Sequence, residues 1–187
     1  SRLDRYIWEQ AAAKLGEWKK VGINMSISVN ISPKDFYYID IFNTFAGLVK
    51  KYDIEPSNLK IEITETTIMS DVPNLMGELE ELRKAGFTIE MDDFGSGYSS
   101  LNTLKDINVD VLKVDMGFIK ETKNVKKSRI ILASVIKMAK ELNLLIITEG
   151  VETEEQVDNL TKLGCDVFQG YYFSKAIDVN EFEKRYL

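Results

Sequence analysis

The sequence predicts an α/β protein, a (β/α)8 TIM-like barrel that is incomplete, with about six of the eight strands such a barrel needs. Three observations predict it. Short β-rich runs alternate with longer helical ones along the whole chain. Apolar runs at 109–114 and 144–147 suit strands of a parallel sheet covered on both faces. Asn30, Glu62, Asp92, Lys113, Glu149 and Gln169 each fall at or near the C-terminal end of a different predicted strand. Polar groups gathered from many strand ends build a barrel mouth, whereas an open doubly wound sheet usually concentrates its site at one switch point.

The elements follow in order. Leu3, Tyr6, Ile7, Ala11, Leu15 and Trp18 recur at helical spacing, which predicts an amphipathic helix over 3–19. Residues 25–30 alternate at period two and predict a strand. A helix is expected over 33–52, with Ser32 as its N-cap and Pro33 in the first helical position. A strand over 59–64 precedes a helix over 71–85 that Gly86 closes. The pattern repeats with a strand at 87–92 and a short helix at 99–105 after a glycine-rich loop. A strand at 111–114 and the longest helix, 125–142, come next. A strand at 145–149, a helix over 153–163 stopped by Gly164, a strand at 167–169 and a helix over 179–186 complete the chain. Neither linker nor charge block nor repeat divides it, so one domain over 1–187 is expected.

Composition narrows the chemistry. With 187 residues and 44% hydrophobic content the chain can bury a full core without disulfides or structural metals. No apolar run approaches the ~20 residues of a membrane span, and the opening Ser-Arg-Leu-Asp-Arg lacks the apolar core of a signal peptide. The single cysteine, Cys165, forbids an internal disulfide and fits a reducing, cytoplasmic location. Histidine is absent, which eliminates His-ligated zinc, Ser-His-Asp triads and any histidine base. A net charge of -6 supplies no excess of cations to release counterions from nucleic acid, so DNA is not an expected partner. Carboxylates, amides, lysine, hydroxyls and a hard metal remain.

Asp92 and Asp93 are the strongest local signal, since adjacent carboxylates at a strand end need a compensating cation to stay ionised together. Alternation along a strand lets Asp93 face the same pocket as Asp92 only if the strand has already ended. Such a pair can hold two metal ions, the first Asp bridging them; an isolated Asp-Asp-x-Gly can equally cap the following helix. Glu62 shares a strand face with Lys60 and Thr64, and an inward Glu there requires a partner or a metal unless the strand is a solvent-facing edge. Asn30 can start a turn. Glu149 and Glu152 flank Gly150-Val151 where an apolar strand ends, and Glu152 can serve as a helix N-terminal carboxylate. Lys113, inside Val111-Leu112-Lys113-Val114, needs a partner or a function. Taken together, an oxygen-rich set without His or Cys selects Mg²⁺, Mn²⁺ or Ca²⁺, and two such ions can activate water against a phosphodiester.

Six linked motifs carry a family resemblance: Ser28-Val29-Asn30-Ile31-Ser32, Glu62-Ile63-Thr64-Glu65, the run from Asp92 to Leu101, Leu112-Lys113-Val114-Asp115, Glu149-Gly150-Val151-Glu152 and Gln169-Gly170-Tyr171. In order and spacing they resemble the EAL domain, whose members hydrolyse cyclic di-GMP to linear pGpG. The resemblance implies that Asn30, Glu62 and Asp92 are ligands of a first metal, with Asp92 bridging to a second also held by Asp93. It implies that Glu149 ligates the second ion or orients water, and that Lys113 holds the nucleophilic water and a phosphate oxygen. Asp93, Lys113 and Glu149 are thus the implied catalytic residues. Glu152 and Gln169 resemble the supporting polar shell, Asp115 a contact to the guanine edge, and Glu65 the anchor of the loop from Phe94 to Ser100. The implied cofactors are two Mg²⁺ or Mn²⁺ ions, with Ca²⁺ inhibitory. The implied partners are cyclic di-GMP, a second copy of the chain meeting it through the loop after Asp93 and the neighbouring helix, and a GGDEF or sensory domain upstream.

The departures matter too. The Glu-Ala-Leu signature is absent; in the family its Glu is a first-metal ligand on a strand that would precede Ser1, beside one further strand. Met116-Gly117 stands where Arg-Ser is usual, and Ala176 where proline is common. The open sheet edges are expected to be covered by a partner chain or another segment, unless the chain is a proteolytic remnant. The leading expectation is a metal-dependent phosphodiesterase; the alternative is an inactive EAL-like module that binds cyclic di-GMP or a protein.

Overall fold

The structure is a computed structural model that describes residues 2–95, 104–115, 117, 125–165 and 167–187. The chain forms two compact units, Ser1–Val111 and Leu112–Leu187.

The first unit opens with α1 (Arg2–Lys20) and β1 (Ile27–Asn30). Next come α2 (Pro33–Tyr38), α3 (Ile41–Tyr52), a 3-10 turn (Pro56–Asn58) and β2 (Leu59–Thr64). α4 (Glu65–Ile68), α5 (Leu75–Lys84) and β3 (Ile89–Phe94) follow, then a helical turn at 104–106. β4 (Val111–Asp115) starts at the boundary and leads into α6 (Val125–Glu141), β5 (Leu145–Glu149), α7 (Glu154–Leu163), β6 (Val167–Phe168) and α8 (Val179–Tyr186). Strand order follows chain order, β1-β2-β3 in the first unit and β4-β5-β6 in the second. The resolved register is parallel, Val29 opposite Ile61, Ile61 opposite Ile89, and Ile147 opposite Val167.

Three expectations change. The helix expected over 33–52 is two helices, because Ile39 is extended and Asp40 starts a new one. The Asp40 carboxylate accepts from the Asn43 backbone N–H at 3.0 Å and its side-chain amide at 2.7 Å, which caps α3. On α1 the buried side is Trp8, Ala11, Ala12, Leu15, Gly16 and Trp18, and Leu3, Tyr6 and Ile7 are exposed. The helical period is right, but the true stripe is rotated toward Trp8 and the two alanines. The helix expected to start at 71 starts at Leu75, after an Asn74 held in the left-handed region at φ 57°. Most of the short helix expected at 99–105 lies outside the described residues.

Other signals hold. Asp35 accepts from the Ser32 N–H and hydroxyl, closing the start of α2. Gly164 ends α7 at φ 95° as expected, while Thr153, expected as the first helical residue, is the N-cap and forms a capping box with Gln156. The first unit's core centres on Phe45, whose ring lies 5.2 Å from Trp8 and 5.9 Å from Phe87. Leu59, Ile61, Ile63, Leu79, Leu82, Ile89 and Met91 are fully buried around it, each contributing roughly 1.5–3 kcal/mol of hydrophobic stabilisation. In the second unit Ile136, Ala139, Ile146, Leu160 and Cys165 are buried. Among the described residues no helix is long and apolar enough to cross a membrane.

Candidate active site

In the first unit, parallel register sets Asn30 opposite Glu62 and Asp92 opposite Thr64. Period-two alternation then places Ser28 and Asn30, Lys60, Glu62 and Thr64, and Glu90 and Asp92 on one face of the three strands. Observed bonds agree with that shared face. Ser28 Oγ donates to Glu90 Oε2 at 2.9 Å, and Lys60 Nζ donates to Glu90 Oε1 at 3.1 Å. The opposite face carries Val29, Leu59, Ile61, Ile63, Ile89 and Met91, all buried. β2 lies between β1 and β3, so Glu62 is not on a solvent-facing edge strand.

Local structure holds each strand end. The Asn30 carbonyl accepts from Trp8 Nε1 at 3.0 Å, which fastens the end of β1 to α1, and Ile31 N donates to the Glu62 carbonyl at 2.9 Å. Thr64 caps α4 by accepting from Thr67 N at 3.2 Å. Glu65, the first residue of that helix, is buried; most of the loop it is expected to anchor lies outside the described residues. β3 continues through Phe94, so the strand does not end between the two aspartates. Alternation is broken differently: Asp93 sits in the left-handed region at φ 56°, and its N–H donates to Asp92 Oδ1 at 2.9 Å. A left-handed aspartate is tolerated because its short polar side chain bonds locally, though the conformation stores some strain.

Asn30 is exposed, and Glu62 and Asp92 are half-buried. An amide and two carboxylates at successive strand ends are hard oxygen donors of the kind Mg²⁺ or Mn²⁺ takes, and Mg²⁺ typically uses one or two carboxylates while keeping several waters. Among the described residues no three Asp, Glu, His or Cys side chains are gathered as a ligand group. The donors present therefore fit a partly hydrated hard cation and not a closed cage.

In the second unit, Lys113 on β4 and Glu149 on β5 form an ion pair at 2.9 Å. Their side chains are 5% and 16% exposed, so the buried lysine has the partner its position requires. Asp115, exposed at the end of β4, accepts from Gly117 N at 2.6 Å and so begins a turn. Glu152 is exposed one residue before the N-cap of α7, and its N–H donates to Gln156 Oε1 at 2.7 Å. Gln169 follows β6: its N–H donates to the Thr148 carbonyl, and its carbonyl accepts from Val151 N. A Cβ on Gly170 would lie 2.1 Å from the Val151 carbonyl oxygen, so only glycine lets these two segments approach. Met116 lies outside the described residues.

Sequence reasoning missed Glu90. It is 1% exposed, carries two side-chain bonds and lies two residues before Asp92. The signal is in the sequence, because strand alternation places Glu90 on the same face as Asp92.

The profile of the EAL domain matches residues 1–176. The chain belongs to the EAL domain family. Over 96% of its length this EAL domain is 33% identical to the bifunctional diguanylate cyclase/cyclic di-GMP phosphodiesterase MucR of Pseudomonas aeruginosa. It is 30% identical to the cyclic di-GMP phosphodiesterase RocR of the same organism, again over 96% of its length. The chain spans 26% of MucR and 47% of RocR. Among solved structures, the MucR phosphodiesterase in complex with c-di-GMP superposes with a TM-score of 0.88 at 33% identity, covering 97% of this chain and 74% of that one. Klebsiella pneumoniae BlrP1, in a manganese/cyclic di-GMP complex, gives 0.83 at 29% identity, covering 93% of this chain and 44% of that one. The fold is thus the expected incomplete TIM-like barrel, with six strands among the described residues.

Proposed function

We propose that this EAL domain is a divalent-metal-dependent phosphodiesterase that hydrolyses cyclic di-GMP to linear pGpG. The observation that carries the reading is the register that brings Asn30, Glu62 and Asp92 to adjacent strand ends on one face, with Glu62 and Asp92 half-buried. Relatives named as cyclic di-GMP phosphodiesterases, and solved relatives holding manganese or calcium with that dinucleotide, support it.

In this reading Asn30, Glu62 and Asp92 would hold a first Mg²⁺ or Mn²⁺, and Asp92, Asp93 and Glu149 would serve as ligands of a second. When bound, such ions acidify a water and offset phosphodiester charge. The chain's own residues do the rest. The Lys113 ammonium, paired with Glu149, donates to the attacking water and to a phosphate oxygen, and favours the charge that builds on phosphorus-bound oxygens. Glu149 orients the water, and Asp93 joins it as an acceptor for the proton the water gives up. A water oxygen–phosphorus bond forms, the phosphorus–O3′ bond breaks, and the leaving 3′ oxygen takes up a proton from solvent. Asp115 contacts a guanine edge, Glu152 and Gln169 support the polar shell, and Glu65 anchors the loop after Asp93. That loop and its neighbouring helix pair two copies of the chain, in the cytoplasm, in a longer protein that carries a GGDEF or sensory domain upstream. The same oxygens would also take Ca²⁺, without supporting turnover.

The test is incubation of the protein with cyclic di-GMP and Mg²⁺ or Mn²⁺, followed by chromatography for pGpG. Turnover that Asp92→Asn abolishes supports the reading. Binding of cyclic di-GMP with no pGpG formed under either metal replaces it with a non-catalytic ligand-binding module.

A further inference from the structure

Each proposed cation ligand of the first unit has a neighbour two residues earlier on the same strand face: Ser28 for Asn30, Lys60 for Glu62 and Glu90 for Asp92. These three neighbours are joined to one another. Glu90 accepts from Ser28 through Oε2 and from Lys60 through Oε1, so its single carboxylate links β3 to β2 and to β1. Its side chain is 1% exposed and that of Lys60 is 22% exposed. A carboxylate buried to that degree is costly to keep ionised unless a cation and hydrogen bonds meet it, and here both oxygens are engaged. The proposed chemistry uses none of the three residues.

We propose that Glu90 is a positioning residue for the divalent-cation site, acting with Lys60 to set where Glu62 and Asp92 present their oxygens. The inference rests on the reading of Asn30, Glu62 and Asp92 as cation ligands. Backbone pairing fixes the register of the strands but leaves the splay of their ends to side chains. Two residues along a strand span about 7 Å, so Ser28 and Lys60, opposite one another in register, lie one step below Asn30 and Glu62, while Glu90 stands opposite Glu62 and one step below Asp92. Loss of the Glu90 charge frees the Lys60 ammonium, whose nearest acidic neighbour along its own strand face is Glu62, a proposed ligand. A lysine that turns to that carboxylate competes with the cation for it. Residues that orient metal ligands from behind typically change metal affinity by about 10–100-fold when removed.

The experiment is Mn²⁺ titration by calorimetry on the full chain, with thermal unfolding recorded in parallel. Glu90→Gln and Lys60→Met are each expected to weaken Mn²⁺ binding by about tenfold or more, and Lys60→Arg to retain affinity near that of the wild type. The pair Lys60→Met with Glu90→Leu removes both buried charges and is expected to recover thermal stability without recovering affinity. Unchanged Mn²⁺ affinity in Glu90→Gln and Lys60→Met, whatever their melting temperatures, overturns the inference and leaves a merely structural tie. If the wild type shows no Mn²⁺ binding that Asp92→Asn removes, the ligand assignment fails and this inference with it; wild-type binding shared by all the variants overturns only the latter.

Discussion

Removing the Lys113 ammonium while leaving its partner tests how the second unit is held together. In Lys113→Met the Glu149 carboxylate keeps its place on β5 but loses a cation at 2.9 Å. Breaking a fully buried pair from one side destabilises by about 3–5 kcal/mol, because a charge is left in a poorly solvated site. Glu149 retains 16% of its side-chain exposure, and both residues make further contacts, so a smaller loss of about 2–3 kcal/mol is expected. For a chain of this size that is a fall in melting temperature of about 4–12 °C. Glu149→Gln removes the 2.9 Å carboxylate partner of the buried lysine and is expected to lose a comparable amount. The double variant Lys113→Met with Glu149→Leu replaces the pair by apolar groups of similar volume and is expected to regain most of the stability while remaining inactive. Urea unfolding of the three variants provides the measurement. If both single variants lie within about 0.5 kcal/mol of the wild type, or if the double variant loses the sum of the two, the pair is not the buried electrostatic unit described here.

Two further outcomes are expected. Glu78, on α5, has a buried Oε2 with no hydrogen-bond partner among the described residues, and burial first, then Asp40 and Glu81, holds its carboxyl above the ordinary value of 4.5. A raised folded value means that the group favours folding when protonated, below pH 4.5, and that this contribution is lost as pH rises through the folded value. Glu78→Gln is therefore expected to raise the melting temperature by about 1–3 °C at pH 7, with the gain shrinking toward zero below pH 4.5, as thermal melts across pH will show. Gly170→Ala drives a Cβ to within 2.1 Å of one Val151 backbone atom and 2.4 Å of another, neither free to move aside. A loss of about 2 kcal/mol or more in urea unfolding is expected, and a neutral result refutes the close approach.

Much of this was legible in the sequence because several signals are local. The alternation of Leu59 to Thr64 fixes both the strand and its two faces, since every second residue must turn away from the helices. Gly164 marks the end of α7 through bonds made within a few residues. Lys113 was suspect because a lysine among valines and a leucine needs a partner, and that partner proved to be another residue singled out by its strand-end position. What escaped depends on distance or on small energies. Whether residues 33–52 form one helix or two is decided at Asp40, where a side-chain cap competes with helix continuation in a sequence that permits both. The orientation of α1 depends on Trp8 reaching the Asn30 carbonyl and the Phe45 ring, contacts more than twenty positions away that no helical period encodes. Glu90 is set apart only by Ser28 and Lys60 meeting on it, partners 62 and 30 positions away that its local sequence does not specify. Strict alternation would let Asp93 share a pocket with Asp92 only past the end of the strand, but a single left-handed residue at Asp93 breaks the alternation inside it.

The division of labour across β2 has an evolutionary consequence. Leu59, Ile61 and Ile63 are sealed away on one side while Glu62 remains partly open on the other, so the aliphatic residues that secure the scaffold and the carboxylate proposed as a ligand never compete for a position. A lineage can therefore drift at Glu62 with the aliphatic side untouched, and a descendant altered there still inherits a sound framework on which a new role can settle.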